Sequence, residues 1–327
     1  MKAKSILARV LTVISICIVI PACSQRIASS IEKAENFSFV DRITPERIKK
    51  LDFRKNEYCP SKKKVCISYY YGSPLDENNL NYSVTLNRGE RENIVKINLN
   101  RNSLDRSYFG TVVLLHGFRT SKEFMLDSAL YFRFLGFQVI VPDLLGHGDT
   151  GGRRKYGVDD SQYISALIDN LIEEGTIKGG KIYIVGSSMG ALTASHISTS
   201  RSDISGIILL APMLQFDEAV YNYAKIDHPI LSRIIPERDI RNGAILALRK
   251  SNIDLKDTNI KPLLKSSQTP TLLILSDSDQ ISPYTSYKQL KKDNIKIFKI
   301  NGRFHPSMNT IGNIEHNAIV KWLNTIQ

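Results

Sequence analysis

The sequence of 327 residues holds only four cysteines and one tryptophan. Four cysteines are too few to staple a chain of this length, so a disulfide scaffold is excluded. Nineteen glycines and twelve prolines are ordinary numbers, which removes collagen-like and proline-rich architectures. Acidic residues are outnumbered, 32 against 44 Lys and Arg, for a net charge of +12. That imbalance permits an acidic partner and identifies none. What the chain does contain is 42% hydrophobic and 23% charged residues. Such a composition describes a folded globular protein with one large α/β domain or two smaller ones, neither disordered nor threaded repeatedly through a membrane.

The N-terminus reads as an address. Lys2, Lys4 and Arg9 precede an uncharged run from Val10 to Ser24 whose core, Val10 to Ile20, is almost wholly apolar. A basic start, a short apolar run and then small residues describe a secretory signal over residues 1–22. The run falls short of the ~20 residues that cross a bilayer, so an uncleaved single-pass anchor is the lesser alternative. Ile20-Pro21-Ala22-Cys23 resembles a bacterial lipoprotein signal. That resemblance implies a lipidated Cys23, and the Ser24 that follows it implies the outer membrane, facing the periplasm. Residues 23–57 then read as a polar tether into a domain over 58–327. Removing residues 1–22 lowers the net charge to +9, enough to favour anionic head groups, although a solubilising surface explains it as well. Lys62-Lys63-Lys64 is the one tight basic run, without the aromatic pattern of a nucleic-acid module.

Export would expose thiols to an oxidising compartment. With Cys17 in the signal and Cys23 carrying lipid, Cys59 and Cys66 remain and are expected to form a local disulfide. No further ligands accompany them, so no metal site is expected.

Residues 65–71 and 82–99 are β-rich, the latter split at Asn87-Arg88-Gly89. From Gly110 onward, short apolar runs alternate with longer amphipathic stretches, the pattern of βα units around a mainly parallel sheet. The runs lie at 110–118, 137–146, 181–190, 206–214, 269–279 and 295–302, with helices expected at 121–135, 158–174, 189–200, 284–293 and 309–326. Residues 215–267 exceed a simple crossover. They read as a small helical cap whose apolar residues line a substrate entrance or glue the insert to the core.

Gly186-Ser187-Ser188-Met189-Gly190 fits G-x-S-x-G between a buried strand and a helix, the setting of a nucleophile elbow. Ser188 is therefore the candidate nucleophile, with Gly186 and Gly190 allowing the sharp turn. A serine needs a base. In the order nucleophile, acid, histidine, only His305 and His316 stand late enough, and His305 sits in the loop after the last strand. Asp279, at the end of the preceding strand, is the expected acid, with Asp277 in reserve and Asp217 third. The backbone N–H groups of Met189 and of Phe118, in the loop after the first central strand, are the expected oxyanion donors. Gly146-His147-Gly148-Asp149-Thr150-Gly151 also fits G-x-G-x-x-G, but Gly152 to Gly157 continue as loop where a dinucleotide site needs a helix.

Taken together, the order His116-Gly117-Phe118, DLLGHG, GSSMG, Asp279 and His305 resembles the α/β-hydrolase superfamily over about residues 110–325. GHGDTGGRR is similar to the GHGxSxGxR segment of monoacylglycerol lipases and the serine aminopeptidase S33-like group, with Thr150 where Ser is usual. The loop after His116-Gly117 continues Phe-Arg-Thr-Ser-Lys-Glu, closer to generic esterases. The resemblance implies an α/β-hydrolase fold, no metal and no organic cofactor. It implies a serine hydrolase that cleaves carboxylic esters, lipophilic ones if the cap and the lipid anchor are read together. Peptide or amide hydrolysis, acyl transfer and a non-catalytic envelope lipoprotein on the same fold are the alternatives.

Overall fold

A computed structural model describes residues 23–37, 45–60, 65–88, 91–177 and 181–327. The expected signal over residues 1–22 and the run Lys62-Lys63-Lys64 lie outside the described residues. Helix α1 covers residues 23–32 and α2 Pro45–Lys50. Strands β1 (Arg54–Tyr58) and β2 (Ile67–Gly72) pair antiparallel, and β3 (Asn79–Arg88) with β4 (Arg91–Asn100) forms a separate hairpin. Then come β5 (Thr111–Leu115), α3 (Leu126–Leu135), β6 (Gln138–Pro142), α4 (Asp160–Glu173), β7 (Ile182–Ser187), α5 (Met189–Ser200) and β8 (Ile204–Leu210). Helices α6 (Phe216–Asp227), α7 (Pro229–Ile234), α8 (Glu237–Lys250) and α9 (Ile260–Ser266) precede β9 (Thr271–Ser276), β10 (Ile295–Ile300) and α10 (Asn313–Ile326).

The main sheet runs β1-β2-β6-β5-β7-β8-β9-β10. It is parallel from β6 to β10, and β2 joins β6 antiparallel. The apolar runs of the sequence are these parallel strands. Helices cover both faces, so both sets of alternating side chains need to be apolar. Val113, Leu115, Ile184, Leu209 and Leu273 pack with α4, α5 and α9 on one face. Val112, Leu114, Val185, Ile208 and Ile274 pack with α3, α10 and the hairpin residues Leu80, Ile97 and Leu99 on the other. Each such fully buried side chain contributes about 1.5–3 kcal/mol relative to exposure.

Two expectations are corrected. Residues 284–293 are not a helix; a single 3₁₀ turn, Tyr284–Ser286, follows Pro283. Tyr287 is fully buried, and its hydroxyl donates to the carbonyls of Pro212 and Met213. That tertiary anchor overrides local helix preference. Residues 23–57 are not a plain tether either. In α1, Ala28 is fully buried and the Ser24 hydroxyl donates to the Asp239 carbonyl at 3.1 Å. The polar composition hid an apolar stripe, Ile27, Ala28 and Ile31, at helical spacing.

Within the 215–267 insert, α6, α7 and α8 form the cap. Helix α9 instead packs on α5, with Ile260 and Leu264 in the core. Cys59 and Cys66 are joined, clipping β1 to β2.

Candidate active site

Strand β7 ends at Ser187 and α5 begins at Met189, so the chain reverses within one residue. Ser188 occupies that point with φ 51° and ψ −110°, a conformation few L-residues adopt. The flanking glycines are obligatory. A Cβ on Gly186 would stand 2.4 Å from the Gly190 carbonyl oxygen, and one on Gly190 would stand 2.2 Å from that of Leu115. Neighbouring strands hold the turn: the Ser188 N–H donates to Leu210 and the Ser188 carbonyl accepts from Met213.

Two loops from the carboxyl edge of the sheet meet this serine. His305 opens a 3₁₀ turn (His305–Asn309) after β10. Its Nε2 lies 2.8 Å from Ser188 Oγ and its Nδ1 2.7 Å from Asp279 Oδ2. Asp279 is fully buried beyond β9, and its Oδ1 accepts the backbone N–H groups of Ile281 and Ser282 at 2.9 Å each. A buried carboxyl group held by two N–H groups and one imidazole fixes the orientation of the ring. With Nδ1–H donating to Asp279, Nε2 presents its lone pair to the serine hydroxyl.

The reserve acids lie elsewhere. Asp277 accepts from Ser278 Oγ and the Gly302 N–H and pairs with Lys299 at 3.4 Å. Asp217 pairs with Arg241 at 3.0 Å. The other late histidine, His316, meets the Tyr131 hydroxyl at 3.1 Å. His116 is buried, which lowers its pKa; its Nε2 accepts the Leu144 N–H. His147 is lowered further, by burial and by His116, and His196 contacts the Asp257 carbonyl.

Phe118 lines the same cavity as Ser188, and Gly117 passes so close that a Cβ there would be 3.4 Å from Ser188 Cβ. Met189 is fully buried at the amino end of α5. The loop carrying Phe118 rests on a buried ionic cluster. Lys122 Nζ contacts Asp143 at 2.5 Å, Asp149 at 2.6 Å and Glu123 at 3.3 Å. Burial opposes the Lys122 charge, yet these carboxylates raise its pKa. The GHGDTGGRR segment is likewise committed to structure. The Thr150 hydroxyl oxygen accepts the Ser68 N–H, and Arg154 donates to the carbonyls of Gly146, Ile31 and Ala34. No helix opens within this segment, which settles the G-x-G-x-x-G reading against a dinucleotide.

Sequence reasoning missed Asn93. From β4, its Nδ2 donates to the Gly302 carbonyl at 2.9 Å, and its Oδ1 accepts from the Phe304 N–H and Ser307 Oγ. An asparagine in a hairpin carries no signature of such a task.

Ser188 and His305 open on a cavity of about 540 Å³. Its lining is mainly apolar: Phe118 and Met213 from the core, Phe216, Val220 and Ile235 from the cap, Ile27, Ile31 and Phe37 from the N-terminal segment. A second cavity, about 790 Å³ and more polar, lies between residues 32–36 and the Gly146–Tyr156 loop and contains neither Ser188 nor His305. Its arginines are engaged with carbonyls, Arg153 with Lys250 and Arg154 as above. Among the described residues, one group of three ligand-type side chains lies close enough for a metal, Glu57, Cys59 and Cys66, and both sulfurs are in the disulfide.

Comparison with known proteins agrees with this architecture. The family described as serine aminopeptidase, S33, matches residues 107–263. YitV of Bacillus subtilis, named as an esterase, is 28% identical over 183 residues, which are 53% of this chain and 69% of that protein. The Pyrococcus furiosus esterase Pf2001 superposes with a TM-score of 0.58 at 17% identity, over 85% of this chain and 95% of that one. A bacterial membrane phospholipase A superposes with a TM-score of 0.54 at 13% identity, over 100% and 99%. The fold is the α/β-hydrolase fold, and the chain is a serine hydrolase.

Proposed function

We propose that this serine hydrolase cleaves lipophilic carboxylic esters at the bacterial cell envelope. The observation that carries the reading is the hydrogen-bonded series Ser188–His305–Asp279 opening directly onto an apolar cavity. Ser188 Oγ attacks the acyl carbon while His305 Nε2 takes its proton, and Asp279 stabilises the imidazolium. The N–H groups of Phe118 and Met189 receive the oxyanion; one such donor is worth about 2.7–4 kcal/mol in the transition state. His305 returns the proton to the leaving alcohol, then activates water against the acyl-enzyme.

An apolar acyl group suits the lining, where burial adds about 0.8 kcal/mol per methylene. Asp227 is the one carboxylate among the described lining residues. A free peptide amine needs a carboxylate partner; with a single one in a mainly apolar lining, esters are favoured over amides. Attachment at Cys23 would suit lipid substrates. Cys23 begins α1, and the next residue bonds the first turn of α8. The adjoining α7 presents Ile230, Leu231 and Ile234 to solvent, each more than half exposed. No helix among the described residues is long and apolar enough to cross a membrane.

The test is hydrolysis of p-nitrophenyl esters from acetyl to palmitoyl by the wild-type chain and by Ser188→Ala. Turnover that rises with chain length and disappears in the variant supports the reading. Turnover retained by the variant, or peptide cleavage without ester cleavage, overturns it.

A further inference from the structure

The cavity wall facing the cap comes from a part of the chain outside the region the family comparison covers. From residues 23–37, Ile27, Ile31, Ala34 and Phe37 contribute to the cavity lining. How they are held is informative. Arg119 follows Phe118 directly and adopts φ 60°. Its Nε donates to the Glu35 carbonyl at 2.7 Å and its Nη1 to the Tyr223 hydroxyl at 3.1 Å. Its guanidinium lies 4.3 Å from the Phe37 ring centre, and its own carbonyl accepts the Phe37 N–H at 3.0 Å. Arg154 supplies the second clamp. It donates to Ile31 and Ala34, at and just past the carboxyl end of α1, where carbonyls lack helical partners and a cation is favoured. Its guanidinium also lies 5.3 Å from the Phe118 ring centre.

The cap is shaped to the segment. A Cβ on Gly243 of α8 would stand 2.5 Å from Ile27, so α1 and α8 approach as closely as they do because that position is glycine. Lys250, at the other end of α8, pairs with Glu32 at 2.9 Å. The segment thus bridges the Phe118 loop, the Gly146–Tyr156 loop and both ends of a cap helix. A passive tail has no need of two arginines from those loops, nor of a glycine in the cap.

We infer that residues 23–37 form the specificity-determining wall of the acyl site, with Ile31 setting how long a fatty acyl chain is accepted. The inference rests on the ester-hydrolase reading above. An acyl chain bound to Ser188 runs between this wall and Phe216 and Val220 of the cap. Adding bulk to the wall shortens the accepted chain; trimming it lengthens it.

The experiment uses the full chain and p-nitrophenyl acetate, decanoate and palmitate. Ile31→Trp lowers the decanoate-to-acetate ratio of kcat/KM at least tenfold, and Ile31→Ala raises the palmitate-to-decanoate ratio. Phe37→Ala, at the end of the segment, serves as the second trimming variant should Ile31→Trp fail to fold. Opposite shifts of these ratios support the inference. Ratios unchanged within twofold overturn it, as does an equal loss on all esters, which marks a purely structural segment. Wild-type turnover that Ser188→Ala abolishes secures the underlying reading separately; a wild-type chain inert toward every ester overturns both.

Discussion

Asn93 Oδ1 accepts the backbone N–H of Phe304 at 2.9 Å, immediately before His305, across 211 positions of sequence. With its bonds to Gly302 and Ser307, this one side chain sets the position of the histidine loop from the β3–β4 hairpin. Displacing a reacting group by about 1 Å costs about a hundredfold in rate. Asn93→Ala is therefore expected to lower kcat ten- to a hundredfold, by about that displacement argument, with little change in KM. Asn93→Asp keeps both acceptor bonds and restores part of kcat. Steady-state kinetics on one soluble ester measures the split.

The two neighbouring aspartates separate cleanly. Asp279→Asn leaves an acceptor for the Ile281 and Ser282 N–H groups but turns an amide donor toward His305. The ring is then held in the wrong tautomer, and kcat falls by about 10⁴. Asp277→Asn, on a group bonded to Gly302 and Lys299, leaves kcat within a few-fold. Parallel kinetics of the two variants checks this.

Lys122→Met leaves Asp143 buried without its cation. Such a loss costs about 3–5 kcal/mol of stability, read as a lowered urea midpoint. Glu123 adds a pH dependence. Burial would raise its pKa, but Lys122 and hydrogen bonds from Ser121 and Tyr70 outweigh that and hold it below 4.5. A depressed acid stabilises the fold above its unfolded pKa, and the contribution disappears as pH falls through the folded value. Wild-type stability accordingly declines as pH drops below 4.5, and Glu123→Gln flattens that decline. Thermal unfolding across pH 3–7 compares them.

Cys59 and Cys66 enclose a loop with a sequence separation of 7. Replacing both by serine is expected to cost about 2 kcal/mol, as loop-closure entropy gives for so short a span. Activity toward a soluble ester persists, since β1 and β2 lie at the sheet edge away from Ser188. Denaturant titration with and without reductant checks it.

The parallel strands were legible because burial on both faces demands unbroken Val, Ile and Leu runs. The elbow was legible because its turn excludes side chains at Gly186 and Gly190. The histidine followed from chain order, and the choice between Asp277 and Asp279 needed the turn after β9, where one carboxylate points inward and the other into solvent. The 284–293 stretch misled because Tyr287 is decided by distant carbonyls. The role of residues 23–37 was hidden by polar neighbours: Ile27 finds its partner in Gly243 of α8, more than 200 positions away. Hydrogen-bonding braces such as Asn93 leave no periodic trace at all.

The bond between Asn93 and the histidine loop also has a bearing on timing. The elbow draws on β5, β7, α5 and the Leu210–Met213 stretch, all of which precede His305 in the chain. Closing so distant a contact is slow relative to local folding. A chain still emerging from a ribosome therefore carries a serine whose base has not yet been made. It acquires its base only when the last strand docks beside a hairpin made long before. Until then Ser188 has no general base, so catalytic competence is the last property this fold gains.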